Sequence, residues 1–286
     1  MSYESIRAID TATELYAVFG DPIGHSKSPL MLNRAFAAAE RNAAYVAFNV
    51  KPEGLGDAVR GVRALGIRGV NVTIPHKLEV MPFLDEIDED ARAIGAVNTI
   101  ANRDGKLVGY NTDGIGYVRS LKEETGVALR GKRVLLLGAG GAARAIAYAL
   151  AKEGVATIWF ANRTREKARA LAASIQAFTH TNVIGFDALD HVVGQVDLVV
   201  NNTPVGMYPN VDETPINPEL LHGDLLVSDL IYNPRVTKLL AEAQARGARI
   251  HSGLGMFIYQ GAYAYEYWTG QPAPVAAMRD AVERVL

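Results

Sequence analysis

The sequence predicts an α/β protein made of two α/β domains. Three observations carry that reading. Short apolar strands alternate with amphipathic helices along the chain. The alternation restarts at Arg133–Leu137, where a strand runs into Gly138-Ala139-Gly140-Gly141 and then a helix. That strand–turn–helix order opens a Rossmann unit. Finally, 286 residues suffice for two domains at roughly 150 residues each.

In chain order, Leu15–Phe19 is an apolar strand that ends in the loop Gly20-Asp-Pro-Ile-Gly24. Ser28 reads as a helix cap and Pro29 as a first-turn residue, so a helix is expected over 29–41. A strand (44–50), a helix (53–65), a strand (68–74) and a helical stretch (84–94) follow. Asp104-Gly105 is a hairpin turn between strands 97–101 and 107–111. The first unit is thus α/β with an antiparallel edge. A helix over 114–125 leads to the second unit. That unit reads as strand 133–137, helix to 153, strand 156–160, helix 165–177, an acidic-to-apolar stretch 186–193, and strands 197–201 and 225–230. A helix over 235–246 precedes a glycine- and aromatic-rich helix over 253–269 and a last helix over 275–285. The expected domains are 1–112, 113–252 as the Rossmann unit, and a tail 253–286 returning to the first. The site is expected in the cleft between the domains, a usual place for ligands.

Composition excludes several classes. The chain is 49% hydrophobic and 21% charged, too apolar and too weakly charged for a disordered protein. The net charge is −2, without the basic excess of a sequence-independent nucleic-acid binder. There is no cysteine, so disulfides, thiolate nucleophiles and Cys-ligated metals are out. The most apolar stretch, 134–151, contains Arg144 and several glycines and does not read as a membrane span. The N-terminus has no apolar leader core. A cytoplasmic protein without membrane or nucleic-acid partners is expected. His180, His191 and His222 form no ligand spacing, and no metal site is expected.

The glycine-rich turn fits G-x-G-x-x-[GA] through Ala142 and Ala143. Gly138 permits the tight turn. Gly140 lets a pyrophosphate approach the backbone, and Ala143 is small enough for close helix–strand packing. The helix N-terminus favours the anion. About twenty residues on, NAD binding usually requires a carboxylate. This chain instead has Asn162-Arg163-Thr164-Arg165, with Lys167 nearby. Cations without a carboxylate favour a 2′-phosphate, hence NADP over NAD. Arg163, directly at the strand end, carries that reading. Arg165 and Lys167 alone are equally consistent with a solvated helix face, and Lys167 would bind a phosphate less specifically than an arginine.

Four polar segments sit near strand ends of the first unit, where open α/β sheets bind ligands. They are Ser26-Lys-Ser28, Asn71-Val-Thr73-Ile-Pro-His-Lys77, Gly95-Ala-Val-Asn98-Thr99 and Asn111-Thr112-Asp113-Gly114. Singly, each has a bland reading: Ser28 and Asp113 as helix caps, Asn98 as a turn residue, Lys77 as a surface lysine. Together, with Val18-Phe-Gly-Asp-Pro-Ile-Gly-His-Ser-Lys-Ser-Pro29, Gly253-Leu-Gly-Met256 and Gln260, they resemble the shikimate dehydrogenase family over nearly the full chain. The resemblance implies NADPH-linked interconversion of 3-dehydroshikimate and shikimate, in the branch leading to chorismate. It implies that Ser26 and Ser28 hold the substrate carboxylate. It implies that Thr73, Asn98, Asp113 and Gln260 bind the ring hydroxyls, with Lys77 at the reacting oxygen and Tyr232 closing over the substrate. Met256 and the Gly253 loop match the segment beside the nicotinamide, and Asn201-Asn-Thr203 resembles the cofactor-domain loop at the next strand end. Domain closure, and either a monomer or a homodimer, are also implied.

Ketone reduction needs a hydride donor and a proton donor. A lysine beside a carboxylate can protonate the developing alkoxide and stabilise its charge. Lys77 is assigned as general acid/base and Asp113 as its partner. His25 and His76 are read as packing or supporting groups, and Trp159 and Trp268 as core or interface fillers. A quinate or dual-specificity dehydrogenase is the nearest rival, disfavoured by Ser28 and by Asn162-Arg-Thr164. A catalytically silent NADP-binding protein would lack Lys77 or Asp113, and both are present.

Overall fold

The computed structural model of the chain describes residues 9–286. The reading of the N-terminus rests largely on residues 1–8 and lies outside the described residues. The chain divides into two compact units. One comprises the described residues through Thr112 together with Gly261–Val285; the other is Asp113–Gln260.

The first unit contains β1 (Glu14–Gly20), α1 (Ser28–Ala38), β2 (Ala43–Asn49), α2 (Leu55–Ala64), β3 (Gly69–Val72), β4 (Glu86–Ile87), α3 (Glu89–Ile94), β5 (Thr99–Arg103) and β6 (Lys106–Tyr110). Its sheet runs β2-β1-β3-β5-β6-β4. β1 is parallel to β2 and β3, and β4 is parallel to β6. β5 runs antiparallel to both β3 and β6. The antiparallel strand therefore lies inside the sheet, between β3 and β6, and the edge strand is the short β4. At the hairpin, Asp104 and Gly105 have φ of 51° and 92°, as a type I′ turn requires.

Side chains of β1 alternate between two layers. Ala17 and Phe19 pack with Leu55, Val59 and Val62 of α2. On the other face, Tyr16 stacks on Phe36 of α1 at 4.7 Å and meets Trp268 at 5.2 Å. The Trp268 ring lies where any side chain at Gly69 would project. Its indole N–H donates to the Ile100 carbonyl at 2.9 Å. Burial of a large aromatic with its polar edge satisfied pins the C-terminal segment to this sheet.

The second unit contains α4 (Asp113–Thr125), β7 (Arg133–Leu137), α5 (Gly141–Lys152), β8 (Thr157–Ala161), α6 (Arg165–Ile175), β9 (His180–Ile184), α7 (Leu189–Val192), β10 (Leu198–Asn201), β11 (Leu226–Asp229), α8 (Lys238–Ala245) and β12 (Arg249–His251). α9 (Gly253–Thr269) begins here, and α10 (Val275–Glu283) belongs to the first unit. The sheet is wholly parallel, in the order β12-β11-β10-β7-β8-β9. That is the doubly wound dinucleotide order, with its switch point between β7 and β10. Among the described residues no helix is long and apolar enough to cross a membrane.

Several expectations change in detail. Lys27, not Ser28, occupies the N-cap of α1, and no side chain caps it. The helix expected over 84–94 becomes β4 followed by α3, because Asp88 caps α3 by accepting from the Asp90 amide. Just before β4, the Asp85 carboxylate accepts from the Leu107 amide at 2.6 Å. The helix expected from 235 begins at Lys238, where the Thr237 hydroxyl caps it. β9 and β12 were not anticipated; both are short edge strands of low hydrophobic contrast. The unit boundary falls at 260/261, inside α9, rather than at Gly253. The first turns of α9 are held by the second unit. The Gly253 amide donates to the Ile231 carbonyl at 3.1 Å, and the Tyr259 hydroxyl donates to Glu123.

A buried polar chain ties α4 to β11 and β12. The Tyr117 hydroxyl donates to Ser228 Oγ at 3.2 Å, and His251 bridges Ser228 Oγ (2.9 Å) and Ser120 Oγ (2.7 Å). If Ser228 accepts from Tyr117, its own proton goes to Nδ1, and Nε2–H faces Ser120. Burial pushes the imidazole down to about 4, outweighing the Glu124 carboxylate 3.6 Å away. Between pH 6.5 and about 4 the unfolded chain therefore holds this proton more readily than the folded one. Stability is lost as pH falls through that window, by up to about 3 kcal/mol from this group. Thermal midpoints measured against pH should show a shallower acid limb in His251→Gln than in the parent chain.

Candidate active site

The substrate-side residues of the first unit gather at one end of its sheet. β1 ends at Gly20, β3 at Val72 and β6 at Tyr110; β5, running the other way, begins at Thr99. The loops carrying Ser26 and Ser28, Thr73 and Lys77, Asn98, and Thr112 all leave from that end. Ser26 Oγ accepts from the Ser28 amide at 3.3 Å, and both residues are half-buried at the start of α1. The Thr73 amide donates to the Phe19 carbonyl (2.9 Å), and the Asp21 amide to the Ile74 carbonyl (3.0 Å). Gly20 allows this approach, since a Cβ there would overlap Thr73.

The turn bearing Lys77 is held at two points. The buried His76 ring places Nε2 2.6 Å from the Val50 carbonyl. The Lys77 carbonyl accepts from the Val97 amide at 2.8 Å. Lys77 itself is half-buried. Asn98, 2% exposed, is cross-braced: its Oδ1 accepts from the Thr112 amide (2.8 Å) and from Thr99 Oγ1 (3.0 Å). Its Nδ2 donates to Thr112 Oγ1 at 3.0 Å. Asp113 follows Thr112 in the chain and is the first residue of α4, 5% exposed.

In the second unit, β7 ends in the glycine turn. Gly138 has φ +96°, and its amide donates to the Ala161 carbonyl at 2.8 Å. A Cβ there would stand 3.0 Å from Thr203 Cγ2. Space is open where side chains at Gly140 and Gly141 would project, and α5 starts at Gly141. Ala143 is fully buried. Gly138, Ala139 and Gly140 line a groove of about 490 Å³ with Asn162, Arg163 and Thr203. Ala142 lies in the first turn of α5. Asn162 Nδ2 donates to the Thr164 carbonyl at 2.8 Å, bending the chain so that Arg163 and Thr164 stay exposed at the end of β8. Arg165 is 3.6 Å from Asp187, while Lys167 is exposed on α6. An open glycine cradle at a helix N-terminus, with a guanidinium and no carboxylate at the next strand end, fits a dinucleotide bearing a 2′-phosphate.

The remaining expected residues come together around the end of β11. Tyr232 stacks on Phe257 of α9, centroids 4.6 Å apart. The Phe257 carbonyl accepts from Gln260 Nε2 at 2.8 Å. Gly253 must be glycine, because a Cβ would overlap the Leu230 carbonyl. Met256 is buried one turn later. The sequence places Asn201 and Asp229 in the Asn201-Asn-Thr203 and Asp229-Leu-Ile-Tyr232 segments without giving either a role of its own; both are fully buried. Asn201 Oδ1 accepts from the Thr203 amide (3.0 Å) and hydroxyl (2.7 Å). Asn201 Nδ2 donates to Asp229 Oδ1 at 3.1 Å. Burial pushes the Asp229 carboxyl up to about 6. The available signal was a polar residue closing each of two apolar strands.

Comparison with known proteins places these features in one family. The shikimate dehydrogenase substrate-binding domain matches residues 18–100. The shikimate/quinate 5-dehydrogenase model matches 120–208, and the shikimate 5′-dehydrogenase C-terminal domain matches 253–283. An NADP⁺ shikimate dehydrogenase of Bacillus cereus is 50% identical over 273 residues, 96% of this chain and 99% of its own. The structure of a Thermus thermophilus shikimate 5-dehydrogenase with NADP(H) and shikimate superposes with TM-score 0.87. It is 36% identical and covers 96% of this chain and 100% of its own. A quinate dehydrogenase of Corynebacterium glutamicum in complex with NAD gives TM-score 0.90 at 32% identity, over 96% and 99% of the two chains.

Gly138 combines a left-handed φ with a close neighbour. Gly138→Ala should therefore cost at least about 1 kcal/mol in a urea titration, whereas Gly140→Ala, in open space, should cost less.

Proposed function

The chain belongs to the shikimate dehydrogenase family, and from that premise we propose how its residues serve the reversible NADPH-dependent reduction of 3-dehydroshikimate to shikimate, on the way to chorismate and the aromatic amino acids. It is an NADP-dependent oxidoreductase acting on a CH–OH group. One observation supports the assignment of roles most strongly. Ser26, Thr73, Lys77 and Asn98 lie in loops at a single end of one sheet, with Ser28 in the first turn of α1 beside them, and each is braced by backbone hydrogen bonds.

Ser26 and Ser28 take the substrate carboxylate. Two hydroxyls beside a helix N-terminus suit an anion. Thr73, Asn98, Asp113 and Gln260 hold the ring hydroxyls. Bound NADPH supplies the hydride. Lys77 gives a proton to the oxygen as it gains negative charge and recovers one in the reverse direction, while its ammonium steadies the developing alkoxide. Asp113 is the partner of Lys77 and orients a ring hydroxyl. Tyr232, backed by Phe257, covers the ring. Gly138 to Ala142 take the pyrophosphate. Asn162, Arg163, Thr164 and Lys167 take the adenosine phosphate. Thr203, Gly253 and Met256 border the nicotinamide. We place the enzyme in the cytoplasm, acting on small molecules as a monomer or homodimer.

The test is an absorbance assay of NADPH formation from shikimate and NADP, with NAD and quinate alongside. Rapid reduction confined to shikimate with NADP supports the reading. Comparable rates with quinate or NAD move it to the dual-specificity branch. No reduction by folded protein that binds NADP leaves a silent scaffold. Lys77→Ala and Asp113→Asn should each lower kcat by about 10²-fold or more while NADPH affinity stays within about twofold. Arg163→Ala should raise the KM for NADP by roughly tenfold, the scale of one charge-assisted phosphate contact, and leave the slow NAD reaction unchanged.

A further inference from the structure

The end of β11 holds a carboxylate that the roles above do not use. Asp229 is fully buried, and each of its oxygens is occupied. Oδ1 accepts from the Ile231 amide at 3.0 Å and from Asn201 Nδ2 at 3.1 Å. Oδ2 accepts from the Thr237 hydroxyl at 2.8 Å. These three donors belong to two different loops. Asn201 stands at the end of β10, and its other side fixes the next loop. Its Oδ1 accepts from the Thr203 amide and hydroxyl, its Nδ2 also donates to the Val205 carbonyl (3.3 Å), and the Val205 amide donates to Thr203 Oγ1 (3.2 Å). That loop walls the groove beside Gly138. Ile231 and Thr237 bracket the other loop, which presents Tyr232 against Phe257.

We propose that Asp229 is a positioning residue that sets both loops at once, holding the cofactor-side Thr203 turn through Asn201 and the substrate-side Tyr232 segment through Ile231 and Thr237. The inference rests on the roles given above to Thr203 and Tyr232. A carboxylate suits the task because it is an acceptor with no donor of its own. It can collect N–H and O–H groups converging from adjacent strand ends without leaving a proton unsatisfied. Burying it is costly, which is the observation a merely space-filling residue would not produce. An apolar residue of the same size would strand three donors. An asparagine keeps two of the acceptances on Oδ1. Its amide can then donate to the Thr237 hydroxyl, which already accepts from the Leu240 amide at 3.4 Å.

The branching gives a distinct pattern for each variant. Asn201→Ala cuts the cofactor arm and leaves Ile231 and Thr237 in place. Thr237→Val removes the Oδ2 contact of the substrate arm together with the cap of α8, keeps the Ile231 amide on Oδ1, and leaves Asn201 in place. Asp229→Ala cuts both. The readouts are NADPH dissociation constant by fluorescence, KM for shikimate, and amide hydrogen exchange at Thr203, Val205 and Ile231. Asn201→Ala should weaken NADPH at least fivefold while changing the shikimate KM less than twofold; Thr237→Val should do the reverse. Asp229→Ala should move both constants at least fivefold and raise exchange at all three amides. Asp229→Asn should recover most of each. Ile175→Ala, a cavity at the C-terminal end of α6, controls for lost stability and should move neither constant. The proposal is overturned if folded Asp229→Ala alters one arm only or neither. It is also overturned if Asp229→Asn is as impaired as Asp229→Ala, or if Ile175→Ala at equal stability reproduces the pattern. An inactive parent chain would overturn the proposed function instead, and the exchange and NADPH measurements would still decide the role of Asp229.

Discussion

A sheet stops supplying hydrogen-bond partners where its strands end, and most of the residues given a role here lie at or just beyond such an end. Backbone amides and carbonyls in the following loops must still be satisfied once buried. In this chain a small set of short polar side chains does that. Asn98 takes the Thr112 amide, His76 lies against the Val50 carbonyl, Asn201 takes the Thr203 amide, and Asp229 takes the Ile231 amide. Each is almost entirely buried. The loops they brace carry the groups that would meet ligand. Stiffness of the site is therefore a consequence of completing the hydrogen bonds of the sheet ends.

The same solution carries an electrostatic cost, and the second unit shows it in two opposite directions. His251 is held neutral by burial and resists acquiring a proton. Asp229, also buried, resists losing one. Between pH 4 and 6 the folded chain binds fewer protons than the unfolded one at His251 and more at Asp229. Acidification thus destabilises the fold through the first group and stabilises it through the second. Ser228 and Asp229 are consecutive residues of β11, so one strand end carries both the partner of His251 and the carboxylate itself.

Much of this architecture was legible because it depends on local pattern. The glycine turn, the strand before it and the helix after it are contiguous, and each piece has its own physical signature. The type I′ hairpin at Asp104-Gly105 and the glycine start of α9 were legible for the same reason. What escaped had no local signature. β9 reads His-Thr-Asn-Val-Ile and β12 only Arg-Ile-His; both become strands because a neighbouring strand offers a ladder. The helix expected over 84–94 failed because Asp85 bonds to Leu107, twenty-two residues away. Asn201 and Asp229 looked like ordinary strand-terminal residues, and their significance lies in a contact across twenty-eight positions. Ser28 resembled a cap in sequence, yet it lies one residue inside the helix.

The bracing is itself limited by lone pairs. Asn98 Oδ1 accepts from Thr99 and from both the amide and hydroxyl of Thr112. An amide oxygen has two lone pairs, so this acceptor is spent inside the protein. Asn71 on β3 is committed in the same way: its Oδ1 accepts from the Tyr45 hydroxyl at 2.7 Å, and its Nδ2 donates to Thr99 Oγ1 at 3.1 Å. Thr99 Oγ1 thus links Asn71 to Asn98, and the ends of β3, β5 and β6 close on one another through side chains where the backbone ladder stops. In such a network each group is oriented by its neighbours, so loss of one member loosens the others as well.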